Sequence, residues 1–66
     1  MEKNLYILSS ADGQNMMISD ELEAATARFE WHVKSDPGQE YILGRYFKVG
    51  LEYKFLSVMK INKGDE

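Results

Sequence analysis

The stretch "SDELEAATARFEWHVKSDPG" (Ser19 to Gly38) decides the fold, because it reads as a helix with marked ends. Ser19 or Asp20 supplies an N-terminal capping residue, and Glu23 follows Asp20 at capping-box spacing. Asp20, Glu21 and Glu23 sit where the helix dipole favours negative charge, and Lys34 where it favours positive charge. Asp36-Pro37-Gly38 stops the helix. Glu30 and Lys34 are spaced as an i,i+4 pair in the favourable order, a contribution of ~0.3 kcal/mol.

On a helical wheel, Leu22, Ala25, Thr26, Phe29 and Val33 fall in one stripe, which predicts the core face. Phe29 and Trp31 are two residues apart, roughly 200° of rotation. The two largest apolar side chains of the segment therefore point in nearly opposite directions. Ala24, Ala27 and Trp31 form a second patch opposite the core stripe, with Arg28 beside them. One reading folds Trp31 down over the Met16-Met17 segment. The other makes the patch an interface: two alanines leave a flat floor, and tryptophan is favoured at binding hot spots.

Strand formers lie on either side of the helix. In "NLYILSS" (Asn4 to Ser10), Leu5 and Ile7 point one way and Tyr6 and Leu8 the other. Asp12-Gly13 is a turn dipeptide, and "MMIS" then reads as a short returning strand. After the helix, "QEYILGRYFKVG" and "LEYKFLSVMKINK" read as two further strands hinged at Gly50, through a two-residue turn or a slightly longer loop. The tail from Asn62 to Glu66 reads as frayed. The expected order is ββαββ, or βαββ if Met16 to Ile18 stays irregular. The expected fold class is α+β, one helix packed on a small antiparallel sheet in a single domain.

The last two strands leave apolar residues over. Simple alternation puts Leu51, Tyr53, Phe55, Met59 and Ile61 on one side with Ser57, and interrupts the other, polar side with Leu56 and Val58. In the preceding strand Ile42, Gly44, Tyr46 and Lys48 share a side. With the helix on one face of the sheet, Ile42, Tyr46, Leu56 and Val58 are expected as an apolar strip on its back, a second candidate contact surface. The competing expectation is a bulge near Leu56-Ser57 that turns these side chains into the core.

Composition narrows the function. The 66 residues contain no cysteine and one histidine, so neither a disulfide nor a multi-histidine metal site is available. The absence of cysteine fits a reducing, cytoplasmic setting. Chains this small commonly need disulfides, metal or oligomerisation, which leaves a tightly packed core or self-association. Eight basic and eleven acidic residues give a net charge of −3, which argues against strong phosphate neutralisation. The longest apolar run, Leu5 to Leu8, is too short for a membrane span or the apolar region of a signal peptide. Beginning at Met1 with no tag, the chain is expected to be a complete small gene product.

Catalytic chemistry finds no foothold. His32 flanks the core stripe on the Arg28 side and has no evident partner set with Ser9, Ser10 or Ser19. The loop "SSADGQN" has the spacing of neither a phosphate-binding loop nor a calcium loop. Arg45, Tyr46, Lys48 and Lys54 suggest an aromatic, basic platform for nucleic acid, but the sheet-based RNA-binding pattern is missing.

In size, cysteine-free acidic composition and strand–helix–strand–strand order, the chain resembles the small accessory proteins of bacteriophages, of the host-takeover or anti-defence kind. Those proteins inhibit or redirect a host protein by binding it. The resemblance covers the layout of the whole chain and carries no signature residue, so it transfers no site by position. It implies a non-catalytic protein–protein interaction module; a homodimer without cofactor, in the cytoplasm, is the expectation from the size, apolar surface and composition of the chain. Its expected interface residues, from the patches above, are Ala24, Ala27, Arg28 and Trp31 on the helix and Ile42, Tyr46, Leu56 and Val58 on the sheet. The alternatives are a weak nucleic-acid binder using the sheet and a small homodimeric ligand-binding protein.

Overall fold

The structure, a computed structural model, describes residues 3–64. Its elements are β1 (Lys3–Ser10), β2 (Asn15–Ser19), α1 (Leu22–Ser35), β3 (Tyr41–Val49) and β4 (Glu52–Asn62). The order is ββαββ, and Met16 to Ile18 do form a strand. The four strands make one antiparallel sheet in the spatial order β2-β1-β3-β4. This is the small α+β arrangement expected.

Both hairpins close through glycines with positive φ. In the first, the Gly13 N–H donates to the Ser10 carbonyl at 2.9 Å and Gly13 takes φ +81°. Asp12 braces this turn: its carboxylate accepts from the Ser10 hydroxyl and from the Gln14 N–H, the latter at 3.1 Å. In the second, Val49 pairs with Glu52, so the loop is the two residues Gly50 and Leu51. Gly50 at φ +62° in the first loop position matches a tight turn of the II′ kind, whose twist suits antiparallel strands.

The helix starts slightly later than the capping residues suggest. Glu21 is the N-cap, and its side chain makes no capping bond. Ser19 instead accepts the Glu21 N–H at 3.1 Å and shapes the entry to the helix. At the other end the Asp36 N–H donates to the His32 carbonyl, and a turn through Pro37 and Gly38 follows as expected. Glu30 pairs with Lys60 of β4 at 3.4 Å rather than along the helix with Lys34. Both partners are exposed, so this bridge contributes no more than ~1 kcal/mol.

The core lies between α1 and the three strands β1, β2 and β3. Leu8 and Leu43 face each other in register and are fully buried. Ala25, Phe29 and Tyr41 complete the cluster, with Tyr6, Met17 and Val33 packed around it. The expected helical stripe is correct at Ala25 and Phe29, while Leu22 at its head remains 43% exposed. Leu22 is the first residue of the helix.

The strand β4 lies outside the shelter of the helix, and every residue from Glu52 to Ile61 is exposed. Its far end is anchored nonetheless. Asn62 donates through Nδ2 to the carbonyls of Gln39 at 2.8 Å and Pro37 at 3.2 Å, and Gly64 lies against the Gly38 backbone. Asn62 is thereby a tied-down last residue of β4, and residues 65–66 of the expected frayed tail lie outside those described.

Candidate functional site

The outer face of α1 is built around Trp31, which is 58% exposed. Trp31 packs edge-on against His32, with ring centroids 4.8 Å apart and planes at 84°. His32 in turn lies 5.5 Å from the ring of buried Tyr41. A chain of three rings thus runs from the core to the surface and steadies the indole. This is a structural role for the single histidine.

Troughs flank the indole. One, of about 390 Å³, is lined by Met17, Ala24, Ala27, Arg28 and Trp31. The other, of about 520 Å³, lies toward β4 and includes Ala27, Glu30, Val33, Lys34 and Lys60 along with Trp31. Helical spacing explains the floor: Ala24, Ala27 and Trp31 recur at three and four residues, and the alanines leave depth beside the ring. Ala24, Ala27, Arg28 and Trp31 therefore come together as one surface. Met17 joins them on the trough wall without covering Trp31.

The second surface is the back of the sheet. Cross-strand register places Leu5, Ile7, Ile18, Ile42, Tyr46, Phe55, Val58 and Ile61 on this one face. Leu5 and Ile7, on the central strand, are buried. Toward the edges Ile18, Phe55, Val58 and Ile61 are each about half exposed, from 48% to 56%. The rings of Tyr46 and Phe55 meet edge-on, 5.4 Å apart, over Gly44. A Cβ at Gly44 would stand 2.9 Å from the Tyr46 ring, so glycine makes room for this aromatic pair.

Two irregularities in the β3–β4 pairing create this face. Leu43 pairs with Lys60 but Gly44 with Val58, so Met59 is an extra residue. Arg45 pairs with Ser57 but Tyr46 with Phe55, so Leu56 is another. Each extra residue resets the alternation. Simple alternation puts Phe55 and Ile61 on the side opposite Val58, but the register sets all three on the back with Ile42 and Tyr46. Ser57, expected on the side of Phe55 and Ile61, turns to the helix side opposite Arg45. A bulge at Leu56 does form, but it carries neither Leu56 nor Val58 into the core, and both remain 49% exposed.

The eight expected interface residues therefore divide into two surfaces. Ala24, Ala27, Arg28 and Trp31 lie on the helix, and Ile42, Tyr46 and Val58 lie on the opposite side of the sheet, with Leu56 at the bulge beside them. Alternation missed Phe55 and Ile61 as members of the back face. The signal was present: the doublets Phe55-Leu56 and Val58-Met59, on either side of Ser57, both break alternation. The suggested nucleic-acid residues do not converge. Arg45 and Lys54 belong to the helix side, and Tyr46 and Lys48 to the back. Lys48 lies 5.6 Å from the Tyr53 ring centroid near the hairpin tip. The Nε of Arg45 is buried without a hydrogen-bond partner.

Among the described residues, no helix is long and apolar enough to cross a membrane. The fold and its two apolar surfaces define a small sheet-and-helix protein. Compared with protein-family models, curated proteins and solved structures, the chain matches none.

Proposed function

We propose that the protein is a non-catalytic protein–protein interaction module. It acts in the cytoplasm as a homodimer and binds a bacterial protein in the manner of a phage-type inhibitor or modulator. The observation that carries this reading is Trp31. A tryptophan held in place by His32 and Tyr41, yet more than half exposed between troughs, has the character of a binding anchor. Arg28, Glu30, Lys34 and Lys60 rim the troughs and supply charge to orient a partner.

The test is affinity capture from nuclease-treated bacterial lysate with the wild-type chain and with Trp31→Asp, read by mass spectrometry. One protein strongly enriched by the wild type and lost with the variant is the expected result. Equal recovery by both would remove the helix surface from the account.

A further inference from the structure

The back of the sheet has a different chemistry from the Trp31 surface, and this difference indicates what covers it. Its exposed apolar side chains are Ile18, Phe55, Val58 and Ile61 with Tyr53 toward the hairpin tip, Asn15 is an exposed polar member on β2, and Ile42 and Tyr46 are half-buried between them. The charged residues that register places there, Lys48 and the Lys3 paired with it, lie together at one end of the face, where Lys48 stands near the hairpin tip beside Tyr53. Interfaces with a foreign protein gain specificity and orientation from charge patterns, whereas permanent self-association is apolar and poor in charge. We infer that the occupant of this face is a second copy of the same chain, packed back to back, sheet on sheet. The inference rests on the reading of the protein as an interaction module and names the partner of its second surface.

Area supports the assignment. Four strands at ~4.8 Å spacing give a face ~19 Å wide, and its strands run from ~17 Å for the five residues of β2 to ~36 Å for the eleven of β4. That footprint is ~500 Å² before the relief of the side chains is counted. The relief brings each copy to the ~600–800 Å² per partner that specific dimers bury. The pairing is self-complementary: an apolar patch meets its own image, and in a two-fold arrangement across the face the Lys48 ends lie apart.

The bulges decide how the copies meet. β4 is an edge strand of eleven residues, a natural template for edge-to-edge pairing. Its two irregularities, at Leu56 and Met59, twist that edge and interrupt its regular spacing of donors and acceptors. The same irregularities gather Phe55, Val58 and Ile61 on one face. β4 is therefore poorly suited to edge pairing and well suited to face packing.

The test is sedimentation equilibrium of the full chain with three single variants: Val58→Glu and Phe55→Ser on the back face, and Trp31→Asp on the helix. Circular dichroism checks folding, and Phe55→Ser serves if the buried approach of a carboxylate disrupts the fold. Wild type and Trp31→Asp are expected at twice the 7.6 kDa chain mass. Folded Val58→Glu or Phe55→Ser is expected to dimerise at least ~100-fold more weakly. A wild type that sediments as a single chain at millimolar concentration overturns the inference. So does a dimer that Trp31→Asp dissociates and the back-face variants leave intact. A dimer behaving as expected beside Trp31-independent partner capture would sink the helix reading and leave this one standing.

Discussion

Gly44 shows at the scale of one residue how the back face is assembled. Glycine weakens a strand interior, and its presence in β3 is explained by the Tyr46 and Phe55 rings that lie over it. Gly44→Val is expected to push these rings outward and destabilise the chain by ~1–3 kcal/mol. The check is urea denaturation together with the ring-proton shifts of Tyr46 and Phe55; unchanged shifts would contradict the proposed contact. Asp12 gives a second residue-scale expectation. The Ser10 hydroxyl, and after it the Gln14 N–H, hold its carboxyl below its ordinary value of 3.8. A pKa depressed in the folded state adds stability above the unfolded value, and that stability is lost as pH falls through the folded value. NMR titration should therefore find Asp12 protonating below its ordinary pH, and Ser10→Ala should move it back up. An equal midpoint in both proteins would refute the bracing role.

Among the elements, α1 was the most legible in the sequence and β4 the least. The spacing of Ala25, Phe29 and Val33 marks the helical core stripe because only a helix turns such residues to one side. Trp31 was placed outside by the same arithmetic. The hairpin turns were legible at Asp12-Gly13 and Gly50, where backbone geometry demands glycine. The facing of β4 was not, because alternation assumes unbroken pairing, and one extra residue inverts everything beyond it. Two extra residues restore it, which is why Phe55 and Ile61 share a face while Ser57 departs from them. Contacts far apart in sequence, such as Glu30 with Lys60 and Asn62 with Gln39, had no local signal at all. The elements also differ in what they contribute. Leu8→Ala in β1 opens the centre of the core and is expected to cost ~2–5 kcal/mol. A chain of this length has only ~3–10 kcal/mol in total, so a large fraction of the variant should be unfolded. Trp31→Asp on the outer face of α1 should change stability by less than ~0.5 kcal/mol. Urea curves that rank the two variants the other way would overturn the assignment of the core.

For the whole molecule, the balance of core and surface is the main physical fact. A 66-residue chain buries only ~60% of its unfolded surface. Among the described residues just two large side chains, Leu8 and Leu43, are wholly enclosed. One layer of helix covers one side of the sheet, and the other side is left as apolar surface of the kind that a second layer ordinarily covers. A back-to-back dimer supplies that layer and doubles the core. Dimer-linked folding makes thermal stability depend on concentration, with Tm rising by roughly 5 °C for each tenfold increase. A scanning-calorimetry Tm independent of concentration, in a chain that unfolds reversibly, would count against the dimer. The outer helix face stays free in such an assembly, so each dimer presents two Trp31 surfaces on opposite sides.

The most direct measurement is an isotope-filtered nuclear Overhauser experiment on an equal mixture of labelled and unlabelled chains, which sees only contacts between copies. The expected contacts join the methyl groups of Val58 and Ile61 to the rings of Tyr46 and Phe55 across the two sheets. Intermolecular contacts that involve Trp31 instead, or none at all at millimolar concentration, would contradict the division of the molecule into a self-pairing sheet face and a partner-binding helix face.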